Sequence, residues 1–288
     1  MAIDLQTALA AKIPIESNSY GVKDVMLYHE GIGALAPPAD PLDPKLLEYV
    51  YEKNLKVVPS FGVIPAFPLL FPTLENTPGL NIDPKMVLHG EQETELHRPI
   101  PKEAVVEHHS RIPNIYDKGK AALVILEVVT KEKGGDPICT NKFSAFVRGA
   151  GGFGGDKGPH AGNKAPDEGA PDYTIETKTS PTQALLYRLT GDMNPMHADP
   201  DVAKQGGFPR PLLQGLCTYG IACKAVIDHA LDGDVTKVAS YGARFAGPIF
   251  PGETLVTKVW KMDDKLLISS HSKESKGPVL TNAFMTVK

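Results

Sequence analysis

Long apolar runs, paired cysteines and a leader sequence are all missing from this chain of 288 residues. No stretch approaches the roughly 18 continuous apolar residues of a membrane-spanning helix. The N-terminus has neither the basic region nor the apolar core of a signal peptide. The three cysteines, Cys139, Cys217 and Cys223, cannot all pair, and their apolar neighbours favour buried thiols in a reducing compartment. We therefore expect a soluble intracellular protein.

An excess of positive charge is also absent. The chain has 30 Lys and Arg residues against 34 Asp and Glu residues, a formal net charge of −4. This balance argues against nucleic acid or an anionic membrane as the main partner. A local basic pocket can still hold a phosphate-bearing ligand. No GxSxG, P-loop or CxxC pattern occurs in the sequence.

Residues 149–171 divide the chain. This segment is dense in Gly and Pro and almost free of apolar side chains, which predicts a mobile linker. A phosphate-cradling glycine loop is the alternative, but no strong strand–turn–helix pattern follows it. The predicted organisation is an N-terminal module of residues 1–148 and a C-terminal module of residues 172–288.

The two modules resemble each other in sequence. Three segments of the first module have counterparts in the second, in the same order. They are Leu88-His89-Gly90 with Leu213-Gln214-Gly215, Arg98-Pro99-Ile100-Pro101 with Gly247-Pro248-Ile249-Phe250-Pro251, and PICTNKF at 137–143 with PVLTNAF at 278–284. The shared order favours an internal duplication.

Each module is predicted to combine a helix with several strands. Mostly apolar or small residues from Gly215 to Leu231 predict a long buried helix. Ser180 to Gln183 predicts the start of an earlier helix that Gly191 ends, and Asp199-Pro200 predicts a short one. Strand-like runs cover 104–112, 121–131, 138–147, 238–245, 255–261, 266–272 and 279–287. The predicted fold class is α+β, with an antiparallel sheet wrapped around a helix.

Residues 187–197, YRLTGDMNPMH, form the most informative segment. They place a carboxylate (Asp192), an amide (Asn194) and an imidazole (His197) within six positions. Gly191 and Pro195 interrupt regular structure among them. These side chains supply acid, base and hydrogen-bonding capacity on one bend, so we predict a general acid–base site there.

Each of these side chains also has an ordinary structural explanation. Asp192 can cap the following turn, Asn194 can make the bend, and His197 can lie on the surface. The occurrence of all three within six residues favours the site. A metal site of His197, Asp199 and Asp201 is weaker, because it lacks a second histidine or cysteine at ligand spacing. We predict neither a metal nor a cofactor.

Gly215 is the second candidate, at the predicted N-terminus of the buried helix. The first N–H groups of a helix have no intrahelical partner, and the helix dipole favours negative charge there. A carbonyl oxygen that gains charge would be stabilised as in an oxyanion hole. Alternatively, Gly215 only permits close packing of helix and sheet.

The remaining candidates are weaker. His89 is interpreted as a hydrogen-bonded structural residue. His108 and His109 face opposite sides of a predicted strand and cannot act together. Cys217 and Cys223 lie on the apolar helix, where we expect them to pack.

The segment 187–197, followed after five residues by Ala203, resembles the signature of the 2-enoyl-CoA hydratase 2 (MaoC-like) family, which includes the hydratase unit of peroxisomal multifunctional enzyme type 2. The resemblance covers nearly the whole chain. It continues through Gly207-Phe208, 211–213, 215–218, Arg244-Phe245, Pro248 and Pro251-Gly252, and in the first module through 87–92 and 117–119. It implies a double hot-dog fold, in which each of two repeats wraps an antiparallel sheet around a long helix.

The resemblance implies reversible syn addition of water to a trans-2-enoyl-CoA of fatty-acid β-oxidation, giving the (3R)-3-hydroxyacyl-CoA. Asp192 and His197 would be the catalytic pair, with the assignment of base and acid left open. Asn194 would help to hold the water, and the N–H of Gly215 would polarise the thioester carbonyl. The residues implied to contact the CoA substrate are His89, Gly90, Lys118, Met193, Pro195, Met196 and Phe245.

Three positions depart from the family pattern. Met196 replaces the usual branched aliphatic residue. Gln214 stands where the family usually has histidine, so a side-chain role there is in doubt. The final Thr286-Val287-Lys288 is not a peroxisomal targeting tripeptide. We expect a cytoplasmic enzyme if the source is bacterial and a peroxisomal one if it is eukaryotic.

The first module contains no Asp-x-Asn-Pro-x-His motif. We therefore predict one active site per chain, with the first module accommodating a medium, long or bulky acyl tail. The alternatives are a hydratase or dehydratase of a specialised acyl chain, such as a sterol side chain, and a catalytically silent acyl-CoA-binding module. Hot-dog sheets often pair edge to edge, so a homodimer is a further option.

Overall fold

One antiparallel sheet organises the chain. The computed structural model describes residues 3–36, 39–159, 162–166 and 169–288. In these residues a ten-stranded sheet has the order β1-β3-β4-β5-β2-β7-β10-β9-β8-β6. The strands are β1 (Glu16–Tyr20), β2 (Val87–Leu96), β3 (Ala104–Asp117), β4 (Ala121–Glu132), β5 (Pro137–Arg148), β6 (Tyr173–Lys178), β7 (Val238–Phe245), β8 (Thr254–Lys261), β9 (Lys265–Ser272) and β10 (Pro278–Val287).

Seven α-helices accompany the sheet in the described residues, and the longest has the most buried residues. They are α1 (Leu5–Ala10), α2 (Val22–Gly31), α3 (Pro44–Val50), α4 (Leu70–Asn76), α5 (Gln183–Tyr187), α6 (Pro200–Gln205) and α7 (Gly215–Ala230). Eleven of the 16 residues of α7 are buried, as the mostly apolar sequence predicts. No helix in the described ranges is long and apolar enough to cross a membrane.

The sheet order is symmetric about its centre. Each of β1 to β5 has a counterpart five strands later, and the β2–β7 pair joins the two repeats. This pair is antiparallel, and the Arg244 guanidinium lies 2.5 Å from the Glu91 carboxylate across it. Two antiparallel units joined edge to edge, with α7 against the sheet, confirm the predicted α+β double hot-dog arrangement.

The first repeat differs from the prediction in its helix. The position between β1 and β2 that corresponds to α7 holds short pieces: 3-10 turns at Pro59–Val63 and Phe67–Leu69, followed by α4. Proline lacks an amide N–H and its ring clashes with the preceding turn, so the prolines at 59, 65, 68 and 72 prevent one long helix. The match of 88–90 with 213–215 is also wrong, because the former lies in β2 and the latter begins α7.

The first part of the glycine-rich segment is hydrogen-bonded to the turn between β3 and β4. The N–H groups of Gly152 and Gly154 donate to the Asp117 carboxylate at 2.9 and 2.8 Å. The N–H of Gly149 donates to the Lys120 carbonyl, and Ala150 is buried. Backbone hydrogen bonds that the Gly- and Pro-rich composition does not predict thus tie residues 149–158 to the β3–β4 turn, and the linker assignment stays a prediction. Residues 160, 161, 167 and 168 of the same segment lie outside the described ranges.

Candidate active site

The predicted acid–base segment forms two tight turns after α5. A 3-10 turn at Arg188–Thr190 ends at Gly191, whose φ of 132° lies in the region that favours glycine. Pro195 begins a second turn that ends at His197. The Asn194 side-chain oxygen accepts the N–H of Met196 at 3.0 Å and caps this turn. Both the bend and the cap follow from residue types visible in the sequence.

Asp192 and His197 face each other across the bend. The distance from His197 Nε2 to Asp192 Oδ2 is 3.9 Å, and the two side chains are 11% and 16% exposed. His197 Nδ1 lies 2.8 Å from the carbonyl oxygen of Leu212. A carbonyl only accepts, so Nδ1 carries the proton of this bond and Nε2 is left facing Asp192. The sequence pattern missed this role of Leu212, because the contribution is from its backbone.

Burial raises the pKa of Asp192 above its usual range. The largest opposing influence is the nearby His197 imidazole, followed by the N–H of Asn194 and the guanidinium of Arg188. The Arg188 guanidinium is held by the carbonyl oxygen of Met193 at 3.2 Å. A carboxylate in this environment is more basic than one in water, which suits proton transfer.

Gly215 is the first residue of α7, and its N–H has no acceptor in the described part of the chain. The preceding Gln214 is fully buried and donates its side-chain N–H to the Ala184 carbonyl at 3.0 Å, without capping the helix. The free N–H of Gly215 and the helix dipole therefore act together on any nearby oxygen. This geometry supports the carbonyl-activating interpretation.

The acid–base pair and the helix terminus lie at the same place. Leu212, which accepts the proton of His197 Nδ1, is three residues before Gly215. Burial raises the pKa of Cys217, the third residue of α7, and the Asp192 charge adds a smaller contribution in the same direction. The structure thus brings together the two candidate features that are separate in sequence.

His89 and Phe245 join Gly215 from the sheet. A bulge in β2 falls at Gly90, between His89 and Glu91. It places the His89 ring 5.0 Å from the Phe245 ring, with edge-to-face geometry. Burial lowers the pKa of His89 to about 4, and its buried Nε2 has no hydrogen-bond partner in the described residues. The interpretation of His89 as a hydrogen-bonded structural residue therefore fails at Nε2.

The other predicted substrate contacts occupy two places. Met193, Pro195 and Met196 lie on the acid–base bend itself; Met193 is exposed and Met196 packs against Gly206. Lys118 lies apart, in the β3–β4 turn. Three strands separate β3 from β7, so Lys118 is about 19 Å from Phe245 along the sheet at about 4.8 Å per strand.

The weaker candidates are structural. His108 is buried between the hydroxyl of Thr130 and the amide of Asn18. The three cysteines are free and buried. The described residues contain no group of three or more His, Cys, Asp or Glu side chains placed to hold a metal ion. Asp199, one of the three residues of the alternative metal site, caps α6 instead.

The fold and site define a MaoC-like double hot-dog enzyme with one acid–base loop beside its central helix. Residues 18–149 match the MFE-2 hydratase 2 N-terminal domain, and residues 163–283 match the MaoC-like domain. A solved structure of a MaoC-like dehydratase from Phytophthora capsici matches with a TM-score of 0.85 and 29% identity, covering 98% of both chains.

Two relatives match over nearly their full length. Enoyl-CoA hydratase ChsH3 of Mycobacterium tuberculosis is 45% identical over 271 residues, covering 94% of this chain and 93% of its own. The peroxisomal enoyl-CoA hydratase 2 of Arabidopsis thaliana is 39% identical over 286 residues, covering 94% and 92%. The chain belongs to the enoyl-CoA hydratase 2 (MaoC-like) family, which confirms the resemblance seen in the sequence.

Proposed function

We propose that the protein is a hydro-lyase that adds water reversibly and syn to a trans-2-enoyl-CoA, giving the (3R)-3-hydroxyacyl-CoA of fatty-acid β-oxidation. One observation carries this proposal. His197 donates Nδ1–H to the Leu212 carbonyl, which aims Nε2 at the Asp192 carboxylate 3.9 Å away. Two relatives named as enoyl-CoA hydratases match this chain over more than nine-tenths of its length.

The 3.9 Å separation suits a water molecule. It is too long for a direct hydrogen bond, yet one oxygen can lie about 2.8 Å from both atoms. A water held there contacts both proton-transferring groups on one face of the substrate. The side-chain nitrogen of Asn194, whose oxygen is used as a cap, is the further group proposed to hold it. Delivery of hydroxyl and proton from one face gives syn addition.

The N–H of Gly215 acts on the other end of the reacting system. Attack of the water oxygen on C3 moves electrons toward the thioester oxygen, which becomes enolate-like. The unpaired N–H at the start of α7 and the helix dipole stabilise this charge. Because the thioester carbonyl is conjugated with the C2–C3 double bond, stabilisation of its oxygen lowers the barrier at C3.

The proton count balances when Asp192 and His197 Nε2 together hold one proton before the reaction. One group accepts a proton from water as its oxygen bonds to C3, and the other donates its proton to C2. Transfer of the accepted proton between Asp192 and His197 then restores the starting state. The raised pKa of Asp192 makes its carboxylate a better proton acceptor than a carboxylate in water.

We propose that the CoA thioester lies along the residues that the family resemblance implies. Phe245 packs on Gly215, and the His89 ring packs on Phe245. These two residues and Gly90, which follows His89, would contact the thioester end. The three loop residues Met193, Pro195 and Met196 flank the catalytic pair. Lys118, about 19 Å away along the sheet, is placed for a phosphate at the far end of the long pantetheine arm.

The acyl tail is assigned to the first repeat. A cavity of roughly 190 Å³ opens beside the catalytic bend and includes Leu189, two residues before Gly191. Its apolar lining from the first repeat is Leu27, Phe61, Ile64, Pro65 and Pro68. The cavity lies between β1, α2 and the 3-10 turns of the first repeat, and Asn18, Ser19, Asp24 and Thr190 add polar groups to its lining. We therefore propose that residues 1–148 hold a medium, long or bulky tail, residues 149–171 connect the repeats, and residues 172–288 carry the chemistry.

The test is hydration of crotonyl-CoA and trans-2-decenoyl-CoA, followed as loss of the enoyl thioester absorbance. An (R)-specific dehydrogenase reports the configuration of the product. Asp192→Asn and His197→Gln are expected to lower kcat by about 10²- to 10⁴-fold. Asp201→Asn, an exposed carboxylate nearby, is the matched control with wild-type rates. Turnover of at least the longer substrate is expected.

The competing function is a silent acyl-CoA-binding module. It predicts binding of both thioesters without turnover, and no difference between wild type and Asp192→Asn. A preference for sterol-like chains over decenoyl would identify the specialised-chain alternative. Homodimer formation and the compartment stay predictions; light scattering after gel filtration tests the first, and localisation of the tagged chain tests the second.

A further inference from the structure

The turn that carries Lys118 is held by the glycine-rich segment after β5. Asp117 Oδ1 accepts the N–H groups of Gly119 and Gly152, at 2.8 and 2.9 Å, and Oδ2 accepts that of Gly154 at 2.8 Å. These N–H groups lower the pKa of Asp117, that of Gly152 most. A single buried carboxylate therefore joins the β3–β4 turn to the segment 149–158, which we name the glycine clasp.

The glycine clasp also contacts Lys118 directly. Its side-chain Nζ donates to the carbonyl oxygen of Lys157 and lies 5.7 Å from the centre of the Tyr116 ring. Gly158 lies on the same ring, where a Cβ would approach to 2.6 Å. The position of the Lys118 ammonium is thus set by backbone that follows β5, not by its own turn alone.

Four cations collect at this end of the sheet. Lys118 and Lys120 belong to the β3–β4 turn, Arg148 pairs with Ala121 at the end of β5, and Lys157 belongs to the clasp. All four are exposed, and none forms an ion pair with a carboxylate in the described ranges. In a chain with net charge −4, this basic rim is a local exception that attracts a polyanion.

We propose that Asp117 is a positioning residue for CoA, acting by folding the glycine clasp so that Lys118 and the basic rim meet the phosphates of the nucleotide end. This inference rests on the proposed function, which supplies CoA as the ligand. Asp117 itself touches no substrate, because its carboxylate is already occupied by three N–H groups. Its effect is confined to the nucleotide end, about 19 Å along the sheet from Phe245 at the thioester end.

The direction in which Asp117→Asn changes CoA binding distinguishes a positioning role of Asp117 from a purely electrostatic one. Asp117→Asn removes a negative charge beside the rim, so electrostatics alone predicts tighter binding of a polyanion. The amide keeps one acceptor oxygen but turns N–H donors toward the donors of the clasp, so the clasp opens. The positioning role therefore predicts weaker binding, the opposite direction.

The experiment measures kcat and KM of the full chain with trans-2-decenoyl-CoA and with the N-acetylcysteamine thioester of the same acid, which lacks the nucleotide. Asp117→Asn is expected to raise KM for the CoA thioester about tenfold, with kcat unchanged. The kinetic constants for the N-acetylcysteamine thioester should stay as in wild type. Asp156→Asn removes the same charge nearby while keeping an acceptor for Gly158, and is expected to give an unchanged or lower KM.

A KM for the CoA thioester that is unchanged or lower in Asp117→Asn overturns the proposal, as does an equal rise for both thioesters. If that variant fails to fold, Gly154→Ala is used, because its Cβ meets open space while its φ of +79° disfavours alanine. Calorimetry with free CoA and with pantetheine, which lacks the nucleotide, measures the binding contribution of the basic rim without catalysis. Weaker CoA binding by the variant, with no turnover by wild type, would keep this inference and reject the hydratase function.

Discussion

Phe245 packs so closely on Gly215 that a Cβ at position 215 would lie 3.0 Å from ring atom Cδ1 and 3.2 Å from Cε1. Phe245 ends β7 and Gly215 begins α7. The contact therefore fixes the helix terminus against the centre of the sheet, where the two repeats meet. The position of the free N–H depends on this contact.

Gly215→Ala is expected to lower kcat/KM by about 10- to 100-fold, equivalent to ~1.4–2.7 kcal/mol of transition-state stabilisation. The added methyl pushes the ring or the helix end by a few tenths of an ångström, which misplaces the N–H relative to the thioester oxygen. The measurement is hydration kinetics at matched folded fraction. Gly135→Ala, in the distant β4–β5 turn, is the control, and wild-type kinetics in Gly215→Ala would contradict the role.

Asp192→Asn is expected to raise Tm at pH 7 while it abolishes most activity. Burial raises the pKa of this carboxyl, so the folded state binds its proton more tightly than the unfolded state. Stability from this group is present below the unfolded value of about 3.9 and is lost as pH rises through the folded value. Asp192→Asn removes the buried charge and so restores this stability at pH 7. Thermal unfolding across pH measures the effect, and a lower Tm at pH 7 would contradict it.

Stability is expected to fall as pH drops from about 6.5 to about 4. His29 is buried, with Nδ1 bonded to the Tyr49 carbonyl and Nε2 accepting the N–H of Val58, so the ring is neutral. Burial lowers its pKa to about 4. The unfolded chain therefore binds more protons in this window, and the stability from the neutral ring, full above about 6.5, is lost on acidification.

Denaturant unfolding at several pH values checks this dependence. His89 and His108 have pKa values lowered to about 4 by burial as well, so up to three protons contribute to the slope. His29→Gln is expected to reduce the slope by at most about 1.4 kcal/mol per pH unit. An unchanged slope in that variant would show that His29 titrates normally.

Gly220→Ala is expected to destabilise the fold by about 1–3 kcal/mol through overpacking. A Cβ at this position would lie 2.5 Å from Ile32 Cγ2 and 2.6 Å from the Tyr28 hydroxyl. Helix propensity alone would favour alanine by up to about 1 kcal/mol. Chemical denaturation measures whether the free energy of unfolding falls or rises. His229→Ala, on the exposed face of α7, is the reference variant. A stabilised Gly220→Ala would mean that α7 has room to move.

The second repeat was predicted well from sequence because its patterns are local. The apolar run of α7, the Asp199 cap and the strands after Val238 depend on residues that adjoin each other, and the structure has them at the predicted places. The edge strands β1 and β6 and the strand β2 were missed. β1 is mostly exposed, so no apolar residues mark it. Burial does alternate along β6 and along 92–96 of β2. The inward positions there include polar Gln92, Thr94 and Thr177, so the sequence shows no regular apolar alternation.

The sequence predicts the candidate residues of the site but not the backbone groups that orient them. The spacing of Asp192, Asn194 and His197 is visible in the sequence, whereas the Leu212 carbonyl that orients His197 is a backbone group. The role of Asp117 was hidden as well, because glycine-rich composition predicts mobility. The carboxylate that orders the clasp precedes it by 35 residues at Gly152.

The catalytic pair is tested most directly by a double-mutant cycle. Hydration of trans-2-decenoyl-CoA is measured for wild type, Asp192→Asn, His197→Gln and the double variant. Groups that share one water and one proton act as a unit, so their losses are not additive. If Asp192 and His197 share one water and one proton, the double variant is expected to be about as slow as the slower single variant. Losses that multiply, or full activity in either single variant, would contradict a catalytic pair.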